Sequence, residues 1–120
     1  MPRFVILTHD HPFLHWDFML EGDTALHTWR LLKTPGSAHE IAAEQLPDHR
    51  LIYLDYEGAI SNNRGTVERF DAGGFQMIEK SEQHLLFHLN GKKIQGNYLL
   101  RQEEGSSDNK SNWFFTPCCK

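Results

Sequence analysis

Short runs of apolar, aromatic and β-branched residues recur along the whole chain, separated by glycine, proline, asparagine and aspartate. Runs of this length and composition are typical of β-strands. They cover residues 4–8, 14–20, 25–32, 51–55, 66–70, 75–79, 84–89, 96–101 and 112–116. Because the connections are short, we predict a mainly β fold: a single closed or nearly closed β-barrel of about eight strands with little helix.

The residues between these runs predict turns. Asn90-Gly91 indicates a hairpin with a type I′ turn, which needs positive φ at both central positions. Gly22-Asp23, Asn62-Asn63 and Gly73-Gly74 predict weaker breaks. Ser37 followed by Glu40 resembles a capping box, which predicts a short helix over residues 37–45 that ends before Pro47. The polar stretch 103–111 is expected to be a mobile loop before the last strand.

Length and composition limit what the protein can be. The 120 residues fit one domain, 1–120, and the 39% hydrophobic and 23% charged residues are typical of a soluble globular protein. No apolar run is long enough to cross a bilayer and no signal peptide is recognised, so we expect a cytoplasmic protein with no membrane partner. Cys118 and Cys119 are adjacent and are interpreted as reduced thiols. The formal charge of −4 argues against a broad basic face that coats duplex DNA, but not against a compact site for one strand end.

One predicted strand carries a candidate metal site. Between residues 14 and 21, Leu14, Trp16, Phe18 and Leu20 alternate with His15, Asp17, Met19 and Glu21, so strand periodicity places the two sets on opposite faces. The apolar set is interpreted as core. A bend through residues 10–12 can bring His9 beside His15, giving two imidazoles and a carboxylate, a set that suits a divalent first-row metal. A solvated strand face with incidental histidines is the alternative interpretation, and His11 is an alternative ligand.

A second candidate group lies between residues 48 and 58. If residues 49–55 continue as a strand, His49 and Tyr53 share one face, where both could contact a phosphate. A half-buried structural tyrosine is the competing interpretation. His27, His39, His84 and His88 have no comparable partners and are interpreted as surface or structural residues. The three tryptophans, at positions 16, 29 and 113, lie within apolar strand patterns and are interpreted as core.

These segments resemble the 3′-phosphoesterase domain of bacterial DNA ligase D and its stand-alone relatives. The resemblance covers nearly the whole chain and is most specific where His9-Asp10 is followed by Leu14-His15-Trp16-Asp17-Phe18. It implies a β-barrel and manganese-dependent removal of a terminal ribonucleoside and a 3′-phosphate in non-homologous end joining. By position, His9, His15 and Asp17 resemble the metal ligands.

The same resemblance assigns further residues. His49 and Tyr53 resemble residues that serve the phosphate, Glu21 one that orients a metal ligand or its water, and Lys33 a lysine of the corresponding loop. Met19 stands where the family usually carries an arginine. The strand pattern directs Met19 toward substrate rather than core, so we expect reduced activity unless another cation compensates. The candidates for that cation are Arg30, Arg50 and Arg64.

The function expected from the sequence is therefore a metal-dependent phosphoesterase that processes the 3′ ends of DNA or of RNA-tipped DNA, with Mn²⁺ or another divalent first-row metal as cofactor. The alternatives are a catalytically weakened module that binds metal and strand ends, and a plain interaction barrel. Nucleic-acid 3′ ends are the expected partners, together with a separate DNA ligase, a polymerase or Ku.

Overall fold

The part of the chain that the structure describes forms one antiparallel sheet of nine strands. A computed structural model describes residues 2–37, 39–103 and 112–118. The strands are β1 (Arg3–His9), β2 (His15–Glu21), β3 (Leu26–Leu31), β4 (Ile41–His49), β5 (Gly58–Ala59), β6 (Thr66–Lys80), β7 (His84–Gly91), β8 (Gln95–Gln102) and β9 (Trp113–Pro117). The described residues contain no α-helix, and one 3-10 helix spans Leu51–Leu54. No helix in this part of the chain has the length and apolar character needed to cross a membrane.

Eight of the strands form a ring. Their order is β1-β2-β3-β4-β9-β8-β7-β6, and β6 also pairs with β1, while the short β5 pairs only with β6. Every pairing is antiparallel. The predicted fold, a closed or nearly closed β-barrel of about eight strands with little helix, is therefore confirmed.

The ring has apolar side chains on both surfaces. Inside, Phe4, Ile6, Phe18 and Leu20 from β1 and β2 pack with aromatic residues of the other strands, including Trp29 and Trp113. Outside, the alternate residues of β1 and β2 are covered by the segment that follows β4. This outer cluster consists of Val5, Leu7, Met19, Leu26, Leu54 and Val67. Strand β1 is thus buried on both faces, which explains its unbroken apolar run.

The predicted helix over 37–45 is wrong, because residues Ile41–His49 form strand β4. Ser37 does not cap a helix: its backbone N–H and its hydroxyl both donate to the carbonyl of Thr34 in a turn. Pro47 falls within a register irregularity of the β3–β4 pairing, between Leu46 and His49, and beyond the residues that pair with β9. A proline without a backbone N–H is tolerated at such a bulge.

Two other local predictions also fail. Residues 51–55 do not form a strand, since Leu51–Leu54 is a 3-10 helix. Gly73-Gly74 is not a break, because β6 runs through both glycines and pairs there with β1 and β7. A Cβ atom at Gly73 would lie 2.1 Å from the carbonyl oxygen of Asn90, so glycine permits the close approach of β6 and β7.

The β7–β8 hairpin exists as predicted, but its turn lies two residues later. Neither Asn90 nor Gly91 has positive φ, and Lys92-Lys93 forms the turn, closed by the Gly91 N–H to Ile94 carbonyl bond of 3.0 Å. The buried carboxylate of Asp71 accepts the backbone N–H groups of Lys92, Lys93 and Ile94 at 2.7 to 3.0 Å. A side chain 21 residues away in the sequence therefore sets the turn.

Two of the predicted weaker breaks are turns in the structure. Gly22 closes the β2–β3 turn through its N–H bond to Ala25, and Asn62 and Asn63 have φ values of 64° and 56° in the turn after β5. Cys118 is a free cysteine, while Cys119 lies outside the described residues. Most of the predicted loop 103–111, from residue 104 on, also lies outside them.

Candidate metal centre and the adjoining cavity

The pairing of β1 with β2 brings the predicted ligands together. His9 and His15 are directly opposite each other in this hairpin, and Asp17 is the next outward-facing residue along β2. The two imidazole rings have centroids 4.9 Å apart. Leu14 is the exception to the predicted alternation, since it precedes β2 and is 55% exposed. Among the described residues, only His9, His15 and Asp17 form a group with metal-ligand spacing, their ligand atoms all lying within 4.8 Å of one another.

Backbone carbonyls fix the ring nitrogens of both histidines. Nδ1 of His15 lies 2.8 Å from the carbonyl oxygen of Phe13, and Nε2 of His9 lies 2.9 Å from that of Arg64. A carbonyl only accepts hydrogen bonds, so these two nitrogens carry protons. In a neutral imidazole the other nitrogen then presents a lone pair. Such a bond to the distal nitrogen is the usual way a metal-ligating histidine is oriented.

Both remaining nitrogens point at the carboxylate of Asp17. Nδ1 of His9 is 3.1 Å from Oδ2, and Nε2 of His15 is 3.0 Å from Oδ1. The second contact lacks hydrogen-bond geometry, so Oδ1 is a buried oxygen without a hydrogen-bond partner. Lone pairs facing lone pairs at this distance repel unless a proton or a cation lies between them. The donor set therefore fits a divalent cation.

The pKa values agree with this reading. The hydrogen bond with Asp17 raises the pKa of His9, against the opposing effect of burial. For Asp17, burial alone would raise the pKa, but the close contacts with His15 and His9 and their charges outweigh burial and lower the pKa to about 2. The carboxylate is therefore ionised at neutral pH and attracts positive charge to this point.

Beside the three ligands lies a cavity of about 500 Å³, which brings together most of the other predicted site residues. His49 ends β4, and Tyr53 follows in the 3-10 helix, with ring centroids 6.0 Å apart. The predicted neighbourhood of these two residues is correct, although a 3-10 helix and not a strand produces it. Nδ1 of His49 is 2.9 Å from the Pro47 carbonyl, which leaves Nε2 as the available ring nitrogen.

All three candidate arginines line this cavity. Arg30 is paired across strands with Asp17, and its guanidinium lies 3.1 Å from Glu44 and 5.2 Å from the ring of Phe13. Nε of Arg30 is buried without a hydrogen-bond partner. The guanidinium of Arg50 lies over the Tyr53 ring at 5.9 Å.

Three predicted assignments need correction. Met19 lies at the floor of the cavity but is only 1% exposed and belongs to the outer apolar cluster, so it faces core and not substrate. Glu21 stands at the far end of β2, where its carboxylate accepts the N–H of Arg3 at 2.8 Å, and it does not line the cavity. Lys33 is exposed in the connection after β3 and does not line it either. Consequently neither Glu21 nor Lys33 is placed for its predicted role.

The other histidines behave as expected. His11 lines the cavity but is not within ligand distance of the three-residue group. The four histidines interpreted as surface or structural are exposed or half-exposed and do not line the cavity: His27, His39, His84 and His88.

Sequence reasoning missed several residues that build the site. Phe13 supplies the carbonyl for His15 and the ring beneath Arg30, and Glu44 holds the same guanidinium. Asp10 accepts the N–H and the hydroxyl of Thr66, which ties the β1–β2 connection to β6. An exposed phenylalanine in a short link was the one available hint, because an isolated apolar residue there has no core to join.

Comparison with known proteins agrees with the earlier resemblance. The sequence model of the family described as the DNA ligase D 3′-phosphoesterase domain matches residues 7–102 of this chain. This range includes all three candidate ligands and every cavity residue named above. The chain belongs to this family. Within the 3′-phosphoesterase family, the chain is 33% identical, over 93% of its length, to the multifunctional non-homologous end joining protein LigD of Pseudomonas aeruginosa.

Two mycobacterial relatives are similar as well. LigD of Mycobacterium tuberculosis is 30% identical over 85% of the chain, and LigD of Mycolicibacterium smegmatis is 26% identical over 88%. The chain spans only 14 to 16% of the length of these relatives. The phosphoesterase domain is therefore one part of proteins that are several times longer.

Proposed function

We propose that this chain is a metal-dependent phosphoesterase that processes the 3′ ends of DNA or RNA-tipped DNA strands. The observation that carries the proposal is the convergence of His9 Nδ1, His15 Nε2 and both Asp17 oxygens, with the opposite ring nitrogens held by carbonyls. Three protein ligands also leave positions open, which is typical of catalytic and not of structural sites. Family membership supplies the reaction class.

The ligand set of two imidazoles and one carboxylate suits Mn²⁺ or a similar first-row ion. When bound, such an ion supplies Lewis-acid polarisation of a phosphate oxygen and lowers the pKa of a coordinated hydroxyl or water. Manganese itself is proposed from the family resemblance.

The side chains around the cavity would handle the phosphate. Arg30 is the best placed cation, because it is opposite Asp17 and is held by Phe13 and Glu44 before any substrate arrives. A guanidinium can bind two phosphate oxygens at once. Nε2 of His49 would hold the phosphate or donate a proton to the leaving oxygen, and Tyr53 would contribute a hydroxyl. With three arginines at the cavity, phosphate binding does not depend on an arginine at position 19.

The relatives are named as proteins of non-homologous end joining, and we infer that this chain acts on broken ends in the same process. A separate ligase, a polymerase or Ku would then work on the ends that it prepares, in the cytoplasm of a bacterium. These partners follow from the family and not from any surface described above.

Two measurements on the same variants test the proposal. Calorimetric titration with MnCl₂ should give one site in the wild type, and Asp17→Ala should weaken it by at least about 100-fold, since the variant loses the only charged ligand. Release of phosphate from a primer ending in a 3′-phosphate should require Mn²⁺ and should be lost in Asp17→Ala. The exposed His88→Ala serves as the matched control and should change neither.

His49→Ala separates catalysis from metal binding. Turnover should fall by about 100-fold or more while Mn²⁺ affinity stays within a factor of about three, because His49 is outside the ligand group. Unchanged Mn²⁺ binding in a folded Asp17→Ala protein would refute the metal site. A folded wild type that binds Mn²⁺ but never releases phosphate from ribonucleotide or 3′-phosphate ends would instead favour the weakened binding module.

A further inference from the structure

A second cavity, of about 440 Å³, lies beside strands β1 and β6 and the β7–β8 turn. Both cavities adjoin the outer apolar cluster: the first contains Val67 of β6 and Tyr53, and the second contains Arg69 of β6 and Leu54. The 3-10 helix Leu51–Leu54 thus contributes one residue to each cavity. We name the second cavity the basic groove, after the four cations that line it: Arg3, Arg69, Lys92 and Lys93.

Positive charge is concentrated at these two cavities although the whole chain is acidic. Together they are lined by seven of the 12 Lys and Arg residues, but by only four of the 16 Asp and Glu residues. The chain carries a formal charge of −4, so the rest of its surface is strongly negative. Such segregation directs a polyanion to one face and repels it from the others.

The two carboxylates of the basic groove do not neutralise it fully. Asp71 is occupied by backbone N–H groups of the β7–β8 turn, and Asp55 is paired with Arg3 at 2.6 Å. Among the described residues, Arg69, Lys92 and Lys93 have no ion-pair partner. Nζ of Lys93 lies 4.5 Å from the ring of Phe70, a groove residue, which keeps this ammonium over the groove wall.

The separation of the groove from the metal centre fits a nucleic-acid strand. Arg3, at the far end of the groove, is six residues from His9 along β1, or about 20 Å at about 3.3 Å per residue. Arg69, at the near end, is opposite Leu7, which is two residues or about 7 Å from His9. A stacked strand rises about 3.4 Å per nucleotide, so these two distances correspond to about two and about six nucleotides. We propose that the basic groove binds backbone phosphates between about two and six nucleotides from the 3′ end held at the metal centre. This inference rests on the proposed function for the location of that end.

Lys92→Gln/Lys93→Gln is the informative variant. Asp71 binds the backbone N–H groups of these residues and not their side chains, so the turn should survive the substitution. Lys80→Gln, an exposed lysine at the end of β6 outside the groove, is the control, together with the two single variants. Binding is measured by fluorescence polarisation with labelled deoxyoligonucleotides of four and twelve residues that end in a 3′-phosphate.

In EDTA, so that no metal contributes, the wild type should bind the 12-mer more tightly than the 4-mer. The double variant should lose on the order of tenfold or more in 12-mer affinity at low salt, and the slope of log K against log salt should fall by about 1.4, or about 0.7 per phosphate contact. Affinity for the 4-mer, which can reach only the near end of the groove, should fall less than affinity for the 12-mer. Affinity for Mn²⁺ should not change, nor should 12-mer binding by Lys80→Gln. Inorganic phosphate at equal phosphate concentration should compete poorly, because the groove binds a strand and not a single ion.

Equal 12-mer affinity in the double variant and the wild type would overturn the inference, as would an equal loss in Lys80→Gln or full competition by inorganic phosphate. The proposed function is tested separately by turnover with Mn²⁺. If no phosphate is released but the double variant still loses 12-mer binding, the proposed function fails and the groove stands. If turnover is normal and 12-mer binding does not depend on the lysines, only the groove fails.

Discussion

Asp71→Asn is expected to be among the most destabilising isosteric changes in this protein. The side chain is 4% exposed, and its two oxygens accept four backbone N–H groups. Oδ1 accepts from Ala72 and Lys92 at 2.9 Å each, and Oδ2 accepts from Lys93 at 3.0 Å and Ile94 at 2.7 Å. An asparagine keeps one of these oxygens and replaces the other with an NH₂ group that faces two donors.

The magnitude follows from the number of bonds lost. Each hydrogen bond to a charged, buried acceptor contributes about 1.5 to 3 kcal/mol, so losing two should cost about 3 to 6 kcal/mol. The site is buried, and water cannot replace the lost acceptor without opening the turn. A domain of this size is stable by about 5 to 15 kcal/mol, so the loss is a large fraction of the total.

Urea unfolding, followed by tryptophan fluorescence and circular dichroism, measures the free energy of unfolding. With a slope of about 2 kcal/mol/M, the midpoint should fall by about 1.5 to 3 M. Asp55→Asn is the matched control, because its ion pair with Arg3 is exposed to solvent and its loss should leave the urea midpoint nearly unchanged. If Asp71→Asn lies within about 1 kcal/mol of the wild type, the turn does not depend on this carboxylate and the reasoning is refuted.

Three further results are expected. The hydrogen bond with Asp17 raises the pKa of His9, and a bound metal must displace the proton that His9 carries below this pKa. Mn²⁺ affinity should therefore rise about tenfold per pH unit below the pKa of His9 and level off above that pKa. Calorimetric titrations across pH 5 to 8 that show no such rise would contradict this. Met19→Arg should lower the free energy of unfolding by about 2 to 4 kcal/mol without a gain in turnover, because position 19 is in the outer apolar cluster. Met19→Leu, measured in the same urea experiment, should change the free energy of unfolding by less than about 1.5 kcal/mol. Arg30→Gln should reduce kcat/KM on a primer with a 3′-phosphate by about 30- to 1,000-fold, while the affinity for Mn²⁺ is retained. An unchanged kcat/KM would exclude Arg30 as the cation that binds the phosphate.

The sequence determined the class of fold and the centre of the candidate site. Alternation along residues 15–20 is a local property, set by the period of two of a strand, and it correctly placed His15 and Asp17 together on one face. The short link from His9 to His15 left little choice but a hairpin, so these two residues had to meet. Local spacing of this kind is readable because few residues and no distant contacts are involved.

Only the tertiary structure decided the features that depend on partners distant in sequence. Residues 41–49 form a strand although Ser37 and Glu40 suggested a helix, because pairing with β3, and of residues 41–43 with β9, outweighs a weak capping preference. The turn at Lys92-Lys93 follows Asp71 and not the Asn90-Gly91 dipeptide, because several charge-assisted bonds exceed a turn propensity. Met19 shares its strand face with the ligands, yet the segment that follows β4 covers it and turns a position expected to contact substrate into core. Strand periodicity predicts the face of the strand on which a side chain lies. Packing between segments that are remote in the sequence decides whether that face contacts water, substrate or another part of the chain.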